Sequence, residues 1–331
     1  MMDSYKAVVA RDRNGTVSPE IESVPFNFLP ENEVLIKVHY AALNYKDALS
    51  GHGHTGITRA YPHTPGVDAA GVVVRDNNGI FMPGTEVICT SFDLGMNTNG
   101  GFAEYISVPA KWLIPLPAGM SMPLSMVYGT AAYTAALALH KMELCGQSPD
   151  MGPIMITGAS GGVGSMAVAL LSHAGYTVHA ASGKADQHEY LKTLGAAEIV
   201  SREDVDDQSG RPLLRPKWAG AIDNVGGNVL STLLKACDRN GSVATIGLVK
   251  SPDLATTVYP FILNGINLLG VDSAETPIAL RHEIWRKLAA KWRFFLPDNA
   301  SQFVSLEEIP ALMGRMLKGE TTGRIVADMT K

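Results

Sequence analysis

Charge is scarce in this chain, and so is cysteine. Charged residues make up 18% of the 331 positions, with a formal net charge of −5. No lysine- or arginine-rich run appears, so the chain offers no field for nucleic acid. Cys89, Cys145 and Cys237 are the 3 cysteines and lie far apart. The odd number leaves one unpaired in any disulfide scheme and favours a reducing compartment. There is no C-x-x-C pair for a structural zinc and no G-x-S-x-G for a hydrolase. Internal repeats and low-complexity segments are also absent. The stretch MMDSYKAVVARDRNG is acidic early, and its apolar run is too short for a signal peptide. Only Met122 to His140 is long enough to pass for a membrane span. Ser125, Tyr128, Gly129, Thr130, Tyr133 and Thr134 interrupt it, so it reads as a buried, close-packed helix or helix pair. The expectation is a soluble, cytoplasmic protein that meets no membrane.

What is present is apolar side chain, 46% of the residues, enough for sizeable cores in about two domains. The first 120 or so residues are β-rich. KAVVA, EVLIKVHYAAL, AAGVVVRD, TEVICT and AEYISVP are short runs cut by Gly, Pro and Asn. A brief helix is expected only around Tyr45 to Leu49. The character changes after the proline- and glycine-rich linker LIPLPAGMS. From about Met155, strands alternate with helical segments. IMIT, TVHAAS, AEIV, AGAIDNV, GSVATIG and INLLGVD read as strands. Gly162 to Ala174, QHEYLKTLG and NVLSTLLKAC read as helices. Such alternation implies a mostly parallel, doubly wound sheet. A helix-rich tail ends in a strand at GRIVADM.

Between IMIT and its helix stands TGASGGVGS. A glycine-rich turn from strand to helix lets the backbone approach a ligand closely. The helix start aims unpaired N–H groups and a positive dipole end at the same place, which suits a pyrophosphate. Gly158, Gly161 and Gly164 are spaced G-x-x-G-x-x-G rather than G-x-G-x-x-G. The position in a βαβ unit, more than the spacing, identifies a dinucleotide site. Ser160, Gly161, Gly162, Val163 and Gly164 form its turn, and Gly164 is expected to let the helix pack on the sheet. A strand-end carboxylate would hold a free ribose hydroxyl about twenty residues on. Here the second strand ends in Ser182, Gly183 and Lys184. A hydroxyl and a cation suit a 2′-phosphate, and Arg202 after the third strand could add a planar fork. The expected cofactor is therefore NADPH. His52, His54 and His63 suggest a metal cluster, but no cysteine or carboxylate falls at a matching spacing, so no metal is expected.

LNYKDAL (Leu43–Leu49), PGVDAAGVV (starting at Pro65), GGFAEY, GTAAYTA and TGASGGVGS occur in this order. Together they resemble the zinc-independent branch of the medium-chain dehydrogenase/reductase superfamily, the quinone oxidoreductase-like reductases. SGKADQHEYLKTLGA, WAGAIDNVGG, TTVYPFILNGINLLGVDS and the terminal GRIV are similar to the NADPH-dependent acryloyl-CoA reductases. The resemblance runs nearly end to end. It implies an α/β fold, with a β-rich GroES-like catalytic domain and a Rossmann domain. The expected limits are 1–124 with 276–331 for the first and 125–275 for the second. It further implies a homodimer joined by sheet edges near NLLGVDS. Two departures stand out. Ser91 to Gly101 lacks the tryptophans of close relatives, and Lys184 stands where arginine is common.

The implied reaction reduces the α,β double bond of an acyl-CoA thioester, acryloyl-CoA, to propanoyl-CoA. Hydride arrives at Cβ and a proton at Cα, and charge develops on the thioester oxygen. The catalytic candidates are Asn44, Tyr45, Lys46 and Asp47. Tyr45 is placed near the nicotinamide, orienting it or donating a hydrogen bond, and Asn44 is a candidate to fix a carbonyl or ribose hydroxyl. Lys46 and Asp47 are equally read as a structural ion pair. Asp223 is read as a possible cap of the turn after its strand. The family match adds Leu248, Ile262 and Ser273 as lining of the nicotinamide half. Two other readings stay open, an NADPH:quinone oxidoreductase and a crystallin-like or dinucleotide-binding regulatory protein.

Overall fold

The computed structural model describes residues 3–330. The chain begins with β1 (Ser4–Arg13), β2 (Thr16–Pro25), β3 (Val34–Leu43), α1 (Tyr45–Gly51) and β4 (Asp68–Asp76). β5 (Glu86–Thr90), β6 (Tyr105–Val108), β7 (Leu113–Pro115) and α2 (Met122–Leu144) follow. Alternation then sets in with β8 (Ile154–Ile156), α3 (Gly162–His173), β9 (Val178–Ala181), α4 (His188–Thr193) and β10 (Glu198–Val200). It continues through β11 (Trp218–Asp223), α5 (Gly227–Ala236), β12 (Cys237–Thr245), α6 (Tyr259–Asn264) and β13 (Asn267–Gly270). The tail adds α7 (Ile278–Ala289), β14 (Ser301–Val304), α8 (Ile309–Leu317) and β15 (Arg324–Asp328).

These elements form two units. The first runs to Thr130 and takes in Ala274–Ala289 and the chain from Asp298 onward. The second is Ala131–Ser273 with Ala290–Pro297. The boundaries fall at 130/131 and 273/274 rather than at 124/125 and 275/276. The first shift has a local cause. α2 is broken at Gly129 (φ 49°, ψ −157°), and the Thr130 N–H donates to Asp68, which keeps the first turns of α2 with the first unit. α2 is also the one described helix long and apolar enough to cross a membrane, and 78% of its apolar window is buried inside the protein.

In the first unit β1 and β2 form a hairpin across Asn14–Gly15. Both turn residues have positive φ (58° and 84°), as a two-residue type I′ turn requires. A seven-stranded sheet has the order β14-β15-β3-β4-β5-β7, with β6 also paired to β3. Part of the expected linker is thus a strand, since Leu113–Pro115 pairs with β5. Pro115 lies on the outer edge, where its missing N–H breaks no ladder. Val34, Ile36, Val38, Leu43, Phe102 and Ile325 help form this unit's core.

The second unit has a six-stranded sheet of order β10-β9-β8-β11-β12-β13, parallel throughout. The expected fold class holds. Every residue of β11 is buried, as for a central strand covered on both faces. Cys237, expected to end a helix, is already extended (φ −73°, ψ 140°) and opens β12. The order reverses between β8 and β11. In doubly wound sheets ligands bind at the carboxyl ends of such a pair.

Candidate functional site

The first cluster follows from strand register. β15 pairs antiparallel with β3, Ile325 facing Leu43, so Arg324 falls beside Asn44. β4 pairs with the other side of β3, Ala69 facing Ala41, which brings in Asp68. Asp68 is fully buried. Its Oδ1 accepts the Thr130 hydroxyl at 2.5 Å, and its Oδ2 accepts the Thr130 N–H and the Asn44 Nδ2, each at 2.8 Å. Arg324 Nη2 lies 3.9 Å from the same oxygen, with its side chain 4% exposed. The guanidinium also donates to the carbonyls of Val127 (3.0 Å) and Leu43 (3.4 Å) and to Asn44 Oδ1 (3.2 Å).

This assigns the NYKD residues to different tasks. Asn44 gives its amide group to Asp68 and to the Ala42 carbonyl (3.2 Å), and its oxygen receives Arg324. Its polar atoms have protein partners and tie the start of α1 to β3, β4 and β15. Asp47 is fully buried and accepts the N–H groups of Asn44 (2.7 Å) and Val67 (2.8 Å). Lys46 is exposed. The two form no ion pair among the described residues, because Asp47 turns inward to cap the first turn of α1. Tyr45, the first residue of α1, is 57% exposed. Asp68, Thr130 and Arg324 carried no role in the sequence, although each lies in a family-like segment. The available signal was a carboxylate set in the otherwise apolar run GVDAAGVVV.

Burial pushes the Asp47 carboxyl up to about 7, and nearby Asp68 adds to the rise, against the two N–H donors. A folded-state value above the unfolded 3.8 means that stability tied to the neutral form is complete below about pH 4 and is lost as pH rises toward 7. A rise of that size corresponds to about 4 kcal/mol. The unfolding free energy of wild type relative to Asp47→Asn is therefore expected to fall by about that amount between pH 4 and pH 7. Urea titrations at four pH values measure it. A difference that stays flat with pH would show that Asp47 is ionised throughout.

In the second unit the glycine turn leaves β8. Gly158 has φ 58°. A Cβ on Gly164 would lie 2.3 Å from the Gly158 carbonyl oxygen and 2.8 Å from the Ala159 Cα. Gly164 thus lets α3 pack closely on the turn that precedes it. Gly161 and Gly162 are exposed and Ser160 and Val163 half-buried at the start of α3, whose first N–H groups have no partner within the helix. The turn is braced from β11. Asp223, fully buried, accepts the Thr157 hydroxyl at 2.5 Å and the N–H groups of Val225 (3.2 Å) and Gly226 (2.8 Å). Burial raises its pKa against those donors. Asn224 Nδ2 donates to the Thr157 carbonyl at 2.8 Å. Asp223 therefore caps its turn and also ties the ends of β8 and β11 together at the reversal point.

β9 is followed by Ser182, whose Oγ accepts the Lys184 N–H at 3.2 Å. The Arg202 side chain crosses directly over Gly183; a Cβ there would meet its Nε at 2.5 Å and Cζ at 2.9 Å. Ser182, Gly183, Lys184 and Arg202 are thus gathered at one strand end with no carboxylate from β9 among them. Asp186 is exposed one turn further on. Leu248 (64%) and Ile262 (68%) are exposed on separate segments, after β12 and on α6. Ser273 is half-buried where the second unit's main segment ends. Among the described residues no three His, Cys, Asp or Glu side chains converge as metal ligands.

Residues 30–118 match the alcohol dehydrogenase GroES-like domain, and residues 162–291 match the domain named zinc-binding dehydrogenase. The chain is 42% identical over 333 residues to the putative quinone oxidoreductase YhfP of Bacillus subtilis, covering 99% of this chain and 100% of that one. It is 38% identical over 323 residues to the acrylyl-CoA reductase AcuI of Ruegeria pomeroyi, covering 97% and 98%. Among solved structures, B. subtilis yhfP with NAD bound superposes with TM-score 0.95 at 42% identity, covering 99% of this chain and 100% of that one. The Salmonella enterica yhdH oxidoreductase in complex with NADP gives 0.93 at 40%, covering 98% and 100%. The chain belongs to the medium-chain dehydrogenase/reductase superfamily, in its zinc-independent, quinone oxidoreductase-like branch.

Proposed function

We propose that this NADPH-dependent oxidoreductase reduces the α,β double bond of acryloyl-CoA to give propanoyl-CoA. The single observation behind the cofactor assignment is the grouping of Ser182, Lys184 and Arg202 at the end of β9. A hydroxyl and two cations there answer a 2′-phosphate, and relatives with NADP bound agree. The close packing of Gly164 on Gly158 leaves the start of α3 open for a pyrophosphate. Bound NADPH supplies the hydride that reaches Cβ. Tyr45 donates a hydrogen bond from its hydroxyl to the thioester oxygen as charge develops there. Asn44, Asp68, Thr130 and Arg324 hold the start of α1 so that this donor is already in place. Water protonates Cα, and the hydroxide it leaves is neutralised by solvent, which completes the reduction. The reading extends to a cytoplasmic homodimer with no nucleic-acid or membrane partner.

The acyl-CoA assignment is favoured by similarity to acrylyl-CoA reductase along nearly the whole chain. The quinone reading rests on comparable similarity to YhfP. Purified protein with NADPH is expected to give its highest catalytic efficiency with acryloyl-CoA, ahead of crotonoyl-CoA, free acrylate and benzoquinone. One methylene is worth only about 0.8 kcal/mol when buried, so rejection of crotonoyl-CoA must come from steric exclusion. If benzoquinone wins, or free acrylate equals its thioester, the quinone reading replaces this one.

A further inference from the structure

Two consecutive residues after β5 occupy the left-handed region without being glycine: Ser91 (φ 62°) and Phe92 (φ 51°). L-residues hold that conformation when their surroundings impose it. Here the residues on either side of Ser91 contact Arg281 of α7, which is fully buried. Its Nη1 donates to the carbonyl (3.0 Å) and hydroxyl (3.1 Å) of Thr90, and its Nη2 to the Ala274 carbonyl (2.9 Å). The guanidinium lies 4.3 Å from the centre of the Phe92 ring, which stacks in parallel on Trp112. The Phe92 N–H also donates to the Ala274 carbonyl, at 3.2 Å.

The turn so held touches the start of α1 by two routes. The Ser91 hydroxyl lies 3.0 Å from the Thr130 hydroxyl, which donates to Asp68, which in turn accepts Asn44 Nδ2. The Ser91 N–H donates to the Val67 carbonyl at 2.7 Å, and the Val67 N–H donates to Asp47, which accepts the Asn44 N–H. Both routes end on the residue that precedes Tyr45. Thr130 and Ala274 are also the positions at which the chain leaves and re-enters the first unit. One turn therefore holds both.

We propose that Ser91, locked in its left-handed conformation by Arg281, is a positioning residue that sets Asn44 through Thr130–Asp68 and Val67–Asp47 and so aims Tyr45. For catalysis this rests on the reading of Tyr45 as the donor to the acceptor oxygen. Hydrogen-bonded networks of this kind reveal themselves as non-additive pairs. Ser91→Gly is the informative variant, because it removes the hydroxyl while relieving the positive φ. A fold defect is thereby separated from a lost contact.

The test is a cycle of Ser91→Gly, Thr130→Val and the double variant. It is read by kcat, by KM for NADPH, by thermal midpoint and by hydrogen exchange of amides 44–48. Ser91→Gly is expected to keep the wild-type midpoint and KM for NADPH, to lower kcat about five- to tenfold and to speed that exchange by a similar factor. The double variant should lose no more than the worse single variant. Arg281→Lys should reproduce the faster exchange at 44–48. If Ser91→Gly leaves the exchange unchanged, or the two losses multiply in the double variant, the proposal is overturned. Should wild type reduce no acceptor, the functional reading fails while the exchange cycle still decides this one.

Discussion

Gly129→Ala is expected to destabilise the fold by about 3–5 kcal/mol and to lower kcat with it, because a side chain there breaks a buried charge network. A Cβ at this position would lie 2.5 Å from Asp68 Oδ2 and 2.9 Å from Arg324 Nη2. Neither group can retreat. Asp68 already accepts three hydrogen bonds, and Arg324 is held by Val127, Leu43 and Asn44. The backbone there (φ 49°, ψ −157°) is also closed to alanine. A control separates the two causes. Gly146 has φ 86°, but a Cβ at that position would meet no atom within 4 Å, so Gly146→Ala carries only the conformational cost, about 1 kcal/mol. Its kcat is expected to stay near wild type. Steady-state kinetics and thermal midpoints of both variants check the contrast. Equal losses in the two would show that backbone strain, not the Asp68–Arg324 contact, makes Gly129 necessary.

The second large effect concerns the choice of cofactor. Lys184→Ala and Arg202→Ala each remove a cation that the proposed cofactor site offers to the 2′-phosphate. A hydrogen bond to a charged group is worth about 1.5–3 kcal/mol, so each variant should raise KM for NADPH about tenfold or more. The double variant should approach a hundredfold and leave KM for NADH little changed. Arg202 is expected to be the stronger of the two, since its planar group is pressed over Gly183, whereas Lys184 is a flexible point charge. Gly183→Ala should therefore imitate Arg202→Ala, because the new methyl group occupies the place of the guanidinium. Equal efficiency of wild type with NADH and NADPH would remove the basis of this assignment.

The βαβ unit around TGASGGVGS was legible because everything that makes it is local. A strand, a turn of positive φ and a helix start follow one another within about ten residues, and the missing carboxylate after β9 is readable at one position. The alternation that defines the parallel sheet is local in the same sense. So is the brief helix at Tyr45, whose cap, Asp47, is three residues from Asn44. The role of Asp47 was not legible, since its charge state depends on burial and on Asp68, and neither is a property of NYKD alone.

The cluster around Asn44 is a product of tertiary structure. Asp68 is 24 positions from Asn44, Thr130 is 62 from Asp68, and Arg324 is 280 from Asn44. The antiparallel register of β15, β3 and β4 brings Arg324, Asn44 and Asp68 together, and the break in α2 at Gly129 delivers Thr130 to Asp68. The same holds for Arg281, which meets Thr90 across 191 positions. By itself the sequence determined the fold class, the family and the glycine-rich strand-to-helix turn, because periodicity and turn chemistry act over a few residues. Which polar groups are buried against one another, and hence which of the four NYKD side chains stay at the surface, was decided only when sheet pairing closed the first unit.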